Sequence, residues 1–200
     1  MIIRQLSVGR MDNFCYLVGC PRTRKAVVID PGADPERILA QAEKDGLVID
    51  VIVNTHGHGD HTAAGPALKA LTGARIIMHA SDAAGPLPVD VRISDDQELQ
   101  VGDIVFRLLH TPGHTPGGIC LYADGQLFTG DTLFVGDSGR TDLPGGDRPT
   151  LAASIRRLMA LPEETVVWPG HDYGPTPCST IGWERRHNVN AREYGYFVQD

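Results

Sequence analysis

Four polar segments, each directly after a run of residues typical of a β-strand, constrain this chain more than any other feature of its sequence. They are residues 55–61 (THGHGDH), 110–114 (HTPGH), 129–132 (TGDT) and 169–173 (PGHDY). Glycine or proline in each segment lets the backbone turn sharply and hold a side chain at a fixed angle. Because loops that leave strand ends on one edge of a sheet converge, the sequence predicts one polar pocket built from the whole chain.

The order of the remaining elements predicts an α/β (α+β) fold in which helices lie outside two sheets. Short β-branched or aromatic runs predict strands over residues 2–8, 14–19, 25–30, 48–54, 75–78, 98–101, 104–110, 118–123, 126–129 and 165–168. Helices are expected over residues 34–46, 65–71, 150–161 and 179–193. Asp34 is expected to cap the first helix, Pro35 to occupy its first position and Gly46 to end it.

Two segments between these elements are predicted to be irregular, and no linker or internal repeat divides the chain. Residues 81–96 contain two prolines and read as a connection, whereas residues 135–149 form a long glycine-rich loop. A long loop inside a compact domain is often functional. The expectation is therefore a single domain over residues 1–200.

Composition and charge disfavour two classes of partner. The net charge is −7, and the basic residues are scattered and do not form a stripe, which argues against nucleic-acid binding. No apolar run approaches the length of a membrane span, and the first residues do not resemble a signal peptide. A cytoplasmic protein without a membrane or nucleic-acid partner is expected.

The four cysteines do not form a Cys-x-x-Cys pair, so a cysteine zinc site is not expected. Cys15 and Cys120 are predicted to be small buried residues, and Cys20 and Cys178 to lie in loops. This usage fits a reducing compartment.

The segment His56-x-His58-x-Asp60-His61 carries the strongest chemical signal. Imidazole and carboxylate are the usual ligands of zinc, iron or manganese in catalytic sites. Four such groups within six residues cannot all reach one ion without strain, but alternate members can point to two neighbouring ions. A solvated polar turn is the alternative, and such turns rarely carry three histidines.

His114, Asp131 and His171 are weaker candidates when each is considered alone. A single histidine after a strand is more often a surface or capping residue. All three, however, follow a predicted strand with glycine immediately before them, and this shared position favours a common metal site. Three further histidines have other predicted roles and are not expected to bind metal: His79, His110 and His187.

The motifs THGHGDH, TPGHT, TGDTLF and PGH, in that order, resemble the metallo-β-lactamase superfamily, and in particular its glyoxalase II-type hydrolases. Residues 27–32 (VVIDPG) match the first motif of that family. The resemblance covers nearly the whole chain, but the separate C-terminal glutathione-binding helical domain of classical glyoxalase II is not expected here. It implies a four-layer αββα sandwich of two mixed β-sheets flanked by helices, with a dinuclear metal site at one edge.

The resemblance also implies which residues hold the metals. Carried over by position, the ligands are His56, His58 and His114 for the first ion, Asp60, His61 and His171 for the second, and Asp131 bridging both. Asp30 is expected to lie behind the ligands and orient their loop. Two divalent ions are expected, zinc and/or iron, with manganese also open.

The implied activity is hydrolysis of a thioester or a related small ester by a metal-bridging hydroxide, because metal ions lower the pKa of bound water. Asp60 and Asp131 are the expected catalytic residues, and Asp60 is expected to help orient the nucleophile. A thioester suits such a site because a thiolate leaves without a strong general acid. The expected partner is a small molecule, a thioester or thiol-derived metabolite, and a homodimer is left open.

A second enzyme class remains open at this stage. Residues 139–142 (GRTD) resemble both short glyoxalase II-like proteins and persulfide dioxygenases, and residues 171–173 (HDY) resemble the dioxygenases. In that alternative, a glutathione-persulfide dioxygenase would hold a single ferrous ion through His56, His114 and Asp131. A metal-binding module without catalytic activity is a third and weaker reading.

Two residues are candidates for substrate contact. Arg140 is expected to bind an anionic group of the substrate, and an ion pair with Asp142 is the alternative. Tyr173 is expected to lie beside the metals, and a packed tyrosine is the alternative.

Overall fold

The computed structural model describes residues 1–94 and 96–195. In that part of the chain the strands form two six-stranded sheets, and each sheet is built from one half of the sequence. The first sheet contains, in spatial order, β1 (Ile2–Val8), β2 (Asn13–Gly19), β3 (Lys25–Ile29), β4 (Val48–Val53), β5 (Arg75–His79) and β6 (Val91–Ile93). The second contains, in chain order, β7 (Gln97–Val101), β8 (Ile104–His110), β9 (Ile119–Ala123), β10 (Gln126–Gly130), β11 (Val166–Pro169) and β12 (Ser179–Thr180).

Both sheets are mixed. In the first sheet β1 to β3 are antiparallel, and β3 to β6 are parallel. In the second sheet only β10 and β11 run parallel. The helices are α1 (Pro35–Lys44), α2 (Gly59–Thr62), α3 (Gly65–Thr72), α4 (Arg148–Met159) and α5 (Ile181–His187).

The two-residue period of β2 places it between two hydrophobic cores. Phe14, Tyr16 and Val18 pack in the cluster between the two sheets, whereas Cys15 and Leu17 pack in the cluster on the other face of the first sheet. Because successive side chains of a strand point to opposite faces, β2 contributes side chains to both hydrophobic clusters. The second sheet contributes Phe106, Leu108, Leu121 and Phe128 to the shared core, and all four are buried.

Helices cover the outer faces of both sheets. Ile38 of α1 and Leu68 of α3 pack with Ile52 and Ile76 of the first sheet. Leu151, Ile155 and Leu158 of α4 belong to a third cluster with Leu127 and Val167 of the second sheet. The layers are therefore helix, sheet, sheet and helix, which confirms the predicted αββα sandwich.

Asp34 occupies the predicted N-cap position of α1, and Pro35 begins the helix. The side chain of Asp34 makes no capping hydrogen bond, however, and its backbone has a φ of 55°. Its carboxylate accepts the N–H of Gly9 instead, at 3.1 Å, in the turn between β1 and β2. A partner distant in sequence thus outweighs the local capping preference. Gly46, with a φ of 62°, follows the helix as predicted.

Two other segments differ from the predictions. Residues 81–96 contain the short strand β6, which extends the parallel part of the first sheet. The closing helix is shorter than residues 179–193, because Ser179 and Thr180 pair with β11 and Asn188 leaves the helical conformation. Residue 95 of the predicted connection and residues 196–200 of the predicted domain lie outside the described residues. The single-domain assignment stays a prediction.

The cysteines are free and mostly buried. Cys15, Cys20 and Cys120 are buried, and Cys178 is partly exposed. Cys20 lies just after β2, in the loop where it was predicted, but its thiol is enclosed there and accepts the N–H of Thr23.

Among the described residues, no helix combines the length and the apolar character that crossing a membrane requires.

Candidate metal centre

The four polar segments meet at one edge of the sandwich. They follow β4, β8, β10 and β11, and the parallel pair β10 and β11 sends two of them from the same sheet edge. The two sheets are joined there, because Ile119 at the start of β9 donates its N–H to the carbonyl of Thr55 at 2.8 Å. The predicted convergence of the loops is therefore present in the fold.

One group of nitrogen atoms belongs to His56, His58 and His114. His58 Nδ1 lies 3.1 Å from His56 Nε2 and 3.0 Å from His114 Nε2. All three atoms lie within 4.8 Å of one another. Two nitrogen ligands about 2.1 Å from a single tetrahedral zinc ion would be about 3.4 Å apart, close to these separations. The spacing of this group therefore suits one ion.

A second group consists of Asp60, His61 and His171. The Nε2 atoms of the two histidines are 3.1 Å apart, and they lie 3.5 and 3.6 Å from Asp60 Oδ2. These atoms also fall within 4.8 Å of one another. Two imidazoles and a carboxylate make a donor set typical of a catalytic zinc or iron ion.

Asp131 lies between the two groups. Its Oδ1 is 3.4 Å from His61 Nε2, and its Oδ2 is 3.3 Å from His171 Nε2 and 3.5 Å from His114 Nε2. Among the described residues, Oδ1 is a buried oxygen without a hydrogen-bond partner. A buried carboxylate oxygen without a partner is costly unless a cation or a donor is added. The residues present therefore fit divalent cations.

Hydrogen bonds at the outer nitrogen fix most of the rings. The Nδ1 atoms bond to Thr55 Oγ for His56 (3.1 Å), Asp30 Oδ2 for His61 (3.1 Å), the Arg140 carbonyl for His114 (2.7 Å) and the Met11 carbonyl for His171 (2.8 Å). A ring whose Nδ1 is engaged in this way presents Nε2 to the centre of the site.

Asp30 supports the ligand loop from behind. Its carboxylate accepts the N–H of Thr55 at 2.7 Å and the hydroxyl of Thr55 at 2.6 Å, besides its contact with His61. The residue is buried, and its backbone has a φ of 53°, a left-handed conformation that non-glycine residues seldom adopt. The orienting role of Asp30 stays a prediction.

Burial and charge divide the histidines into two sets. Burial lowers the pKa of His56 and of His58. Their rings are therefore neutral, and each keeps a lone pair that can bind a metal ion. Burial also disfavours the charged form of His61, but the nearby Asp131 and Asp30 carboxylates outweigh it and raise the pKa to about 9. The pKa of His171 is raised as well, against burial, by Asp131. A metal ion must therefore displace protons from His61 and His171.

The same contacts act on Asp131. Burial disfavours its charged form, but His61 and His171 more than compensate and hold the pKa of Asp131 well below its usual range. The carboxylate is thus ionised and available to a cation.

A cavity of about 550 Å³ opens onto both groups. Its apolar walls come from Met11, Phe134, Leu143 and Tyr173. The charged residues that line it are Asp60, Asp131, Asp137 and Arg140, beside His58, His114 and His171. The cavity is large enough for a small-molecule substrate.

The ion pair considered for Arg140 is present. Arg140 is among the residues that line the cavity, and its guanidinium forms two hydrogen bonds of 2.6 Å with Asp142, an ion pair exposed to solvent. The ion pair lowers the pKa of Asp142 to about 2. The carbonyl of Arg140 has a separate role, because it accepts the hydrogen bond of His114. Substrate binding by Arg140 stays a prediction.

Tyr173 stacks on a ligand candidate. Its ring lies parallel to that of His171, with centroids 4.5 Å apart and an interplanar angle of 12°. The tyrosine is half exposed and lines the cavity. Its ring is therefore packed against His171 and is also accessible from the cavity. A contact with substrate stays a prediction.

Several residues of the site were not found by the sequence analysis. Asn13 is buried, and its amide donates to Asp60 Oδ2 at 2.9 Å. Met11 and Phe134 line the cavity. Asn13 and Met11 lie outside the four polar segments, whereas Phe134 is the last residue of the TGDTLF motif, which indicated no role in a cavity wall for it.

The three excluded histidines belong to none of the possible ligand groups found among the described residues. His79 and His110 stack on each other with centroids 4.1 Å apart, and His110 bonds the carbonyl of Pro116 in the loop that carries His114. His187 packs on Trp183.

The fold and this cluster define a metal-binding, hydrolase-like enzyme built as a two-sheet sandwich. The sequence profile of the metallo-beta-lactamase superfamily matches residues 8–171. The chain therefore belongs to the metallo-β-lactamase superfamily.

Similarity to known proteins extends over most of the chain. A hydroxyacylglutathione hydrolase of Polaromonas sp. (strain JS666) is 39% identical over 86% of this chain, which spans 67% of that hydrolase. The structure of ETHE1 from Myxococcus xanthus matches with a TM-score of 0.90 and 36% identity, covering 99% of this chain and 88% of ETHE1. TTHA1623 in a di-iron-bound form matches with a TM-score of 0.81 and 35% identity, over 93% of this chain and 98% of TTHA1623.

Proposed function

We propose that this chain is a metal-dependent hydrolase that cleaves a thioester of a small molecule. The observation that supports the proposal most directly is the meeting of two complete ligand groups at Asp131. Two divalent ions held by His56, His58 and His114 and by Asp60, His61 and His171 would supply a water of lowered pKa, and hence hydroxide near neutral pH.

The side chains of the site have distinct tasks in this proposal. Asp60 is partly exposed towards the cavity, and Asn13 fixes its Oδ2, so its carboxylate can orient a water molecule. Asp131 stays ionised and contributes negative charge between the two groups. Apolar side chains of the cavity wall, Phe134 and Leu143 among them, hold the substrate and exclude bulk water. A thiolate leaves without a proton, so the reaction needs no strong general acid.

The comparisons support a thioester but leave its thiol part open. About one third of the hydroxyacylglutathione hydrolase of Polaromonas lies outside the matched region, because the chain spans 67% of it. Glutathione carries two carboxylates. Within the part of the chain that the structure describes, Arg140 is the only arginine or lysine lining the cavity. The proposal therefore names a thioester or other thiol-derived metabolite in the cytoplasm, without requiring glutathione.

A persulfide dioxygenase is the second candidate. It is favoured by the likeness to ETHE1, which is a persulfide dioxygenase. Such an enzyme would use two histidines and one carboxylate, which here would be His56, His114 and Asp131, to hold one ferrous ion. Asp131 Oδ2 lies 3.5 Å from His114 Nε2, so this smaller donor set is available too.

Metal content and two assays separate the candidates. Protein purified without added metal or chelator is analysed for metals, then given a small acyl thioester, an acyl-glutathione thioester and glutathione persulfide. About two ions per chain with release of free thiol supports the hydrolase. About one iron per chain with oxygen consumption on the persulfide, and no thiol released from either thioester, would overturn it in favour of the dioxygenase.

A further inference from the structure

Asp82 lies outside the four polar segments, yet it contacts two of the loops that carry ligands. It follows β5 in a turn, where its N–H donates to the carbonyl of His79 at 3.1 Å. Its half-buried carboxylate accepts three hydrogen bonds: from the N–H of Gly57 (2.9 Å), the hydroxyl of Thr115 (2.7 Å) and the N–H of Gly117 (2.6 Å). All three donors belong to the metal centre's loops.

The positions of these donors link Asp82 to the three-histidine group. Gly57 stands between His56 and His58, and Thr115 follows His114 directly. One carboxylate therefore connects the loop after β4, in the first sheet, with the loop after β8, in the second. The bond from Ile119 to Thr55 joins the same loops nearer the sheets, so Asp82 adds the connection beside the ligands.

The two glycines allow this close approach. A Cβ atom at Gly117 would lie 2.6 Å from Asp82 Oδ1, and one at Gly57 would lie 3.1 Å from the Asp82 carbonyl oxygen. The first distance is shorter than any ordinary contact, and side chains at both positions would move the loops apart. The loops are thus shaped around the Asp82 carboxylate.

We propose that Asp82 is a positioning residue that sets the separation of the His56–His58 loop from the His114 loop, and thereby the metal affinity of the three-histidine group. It belongs to none of the ligand groups formed by the described residues and acts through the backbone that carries them. Hydrogen bonds to a carboxylate are stronger than those to a neutral acceptor, so three of them hold both loops firmly. The inference rests on the metal centre of the proposed function and not on its substrate.

Zinc affinity tests this proposal, with Zn²⁺ itself as the probe. The background is His171→Ala, which keeps the three-histidine group and breaks the other one. In it, Asp82→Ala is expected to weaken zinc binding about 10- to 100-fold, measured by competition with a chromophoric chelator. Asp82→Asn keeps one acceptor oxygen and should give an intermediate loss. The visible spectrum of the Co²⁺-loaded protein should change in parallel, because it reports the geometry of the ligands.

Asp90→Asn is the matched control. Asp90 lies in the same connection between β5 and β6, and its carboxylate also accepts a backbone N–H, that of Ile76 at 2.8 Å. This variant should leave zinc affinity unchanged. If Asp82→Ala does not fold, Thr115→Val removes one of the three bonds at nearly constant volume and should still weaken zinc binding.

Unchanged zinc affinity in a folded Asp82→Ala protein would overturn the proposal, and so would an equal loss in Asp90→Asn. The proposed function fails separately. A wild-type chain that binds zinc but releases no thiol is not a thioesterase, and the role of Asp82 then still depends on the zinc titration alone.

Discussion

The Nε2 atoms of His61 and His171 lie 3.1 Å apart, although 110 positions separate these residues in the chain. The first follows a strand of one sheet, and the second follows a strand of the other. The Asp131 carboxylate, from the second half of the chain, faces both rings. A metal ion at this position would therefore join the two sheets as well as serve the reaction.

His171→Ala should remove one ion and retain the other. The second group loses one of its three ligands, whereas His56, His58 and His114 remain. The metal content is expected to fall from about two ions per chain to about one, and activity by more than about 100-fold. Elemental analysis of the purified variant measures the first effect. His187→Ala, which changes a histidine packed on Trp183, is the control. A variant that keeps two ions per chain would exclude His171 as a ligand.

Arg140→Ala should raise KM for an anionic substrate more than it lowers kcat, because binding by Arg140 would be the same in the ground and transition states. Asp142→Ala is the reciprocal variant. It frees the guanidinium from its ion pair and should lower KM for the same substrate. Steady-state kinetics of both variants measure these shifts. An unchanged KM in Arg140→Ala together with a lower melting temperature would show that the arginine is structural.

Phe106→Ala tests the core between the sheets. Phe106 is fully buried, and its truncation leaves a cavity that should reduce the free energy of unfolding by about 3–5 kcal/mol. Val105, the neighbouring residue, is 47% exposed, and Val105→Ala should cost less than about 1 kcal/mol. Urea denaturation of metal-saturated samples measures both losses, since metal binding itself adds stability. Similar losses in the two variants would contradict this assignment of the core.

Glu184→Gln tests a buried carboxylate that supports the long loop of the site. Glu184 of α5 accepts hydrogen bonds from the N–H of Gly136, from Ser179 and from Asn188, and burial raises its pKa. A raised folded-state pKa adds stability that is complete below the unfolded value, near 4.5, and is lost as pH rises through the folded value. The wild-type unfolding free energy should therefore include a part that declines as pH rises above 4.5.

The glutamine variant lacks this titration. A plot of its unfolding free energy against pH should accordingly have a more positive slope than the wild-type plot in the same range, measured by urea denaturation at constant metal saturation. Parallel plots for the two proteins would mean that Glu184 has the same pKa in the folded and unfolded states.

The metal centre shows which of its features can be predicted from neighbouring residues alone. The ligand-bearing loops were predicted because each contains glycine or proline beside a histidine or aspartate at the end of a strand, a pattern that depends only on neighbouring residues. The resemblance to the superfamily then divided the seven residues into two groups, and the structure brings the same residues together. Their ligand roles stay predictions until metal is measured.

The sequence patterns by themselves determined most of the strands, the placement of helices outside two sheets and the segments that form the metal centre, since periodicity and turn residues act over a few positions, whereas the αββα order of layers was implied by the resemblance to the superfamily. Only the tertiary structure decided which distant residues support them. The Asp34 side chain bonds Gly9 and does not cap its helix, Asn13 reaches Asp60, and Asp82 joins Gly57 to Gly117. Each of these contacts links residues far apart in the chain, and their partners are set by the packing of the two sheets, which no local pattern contains.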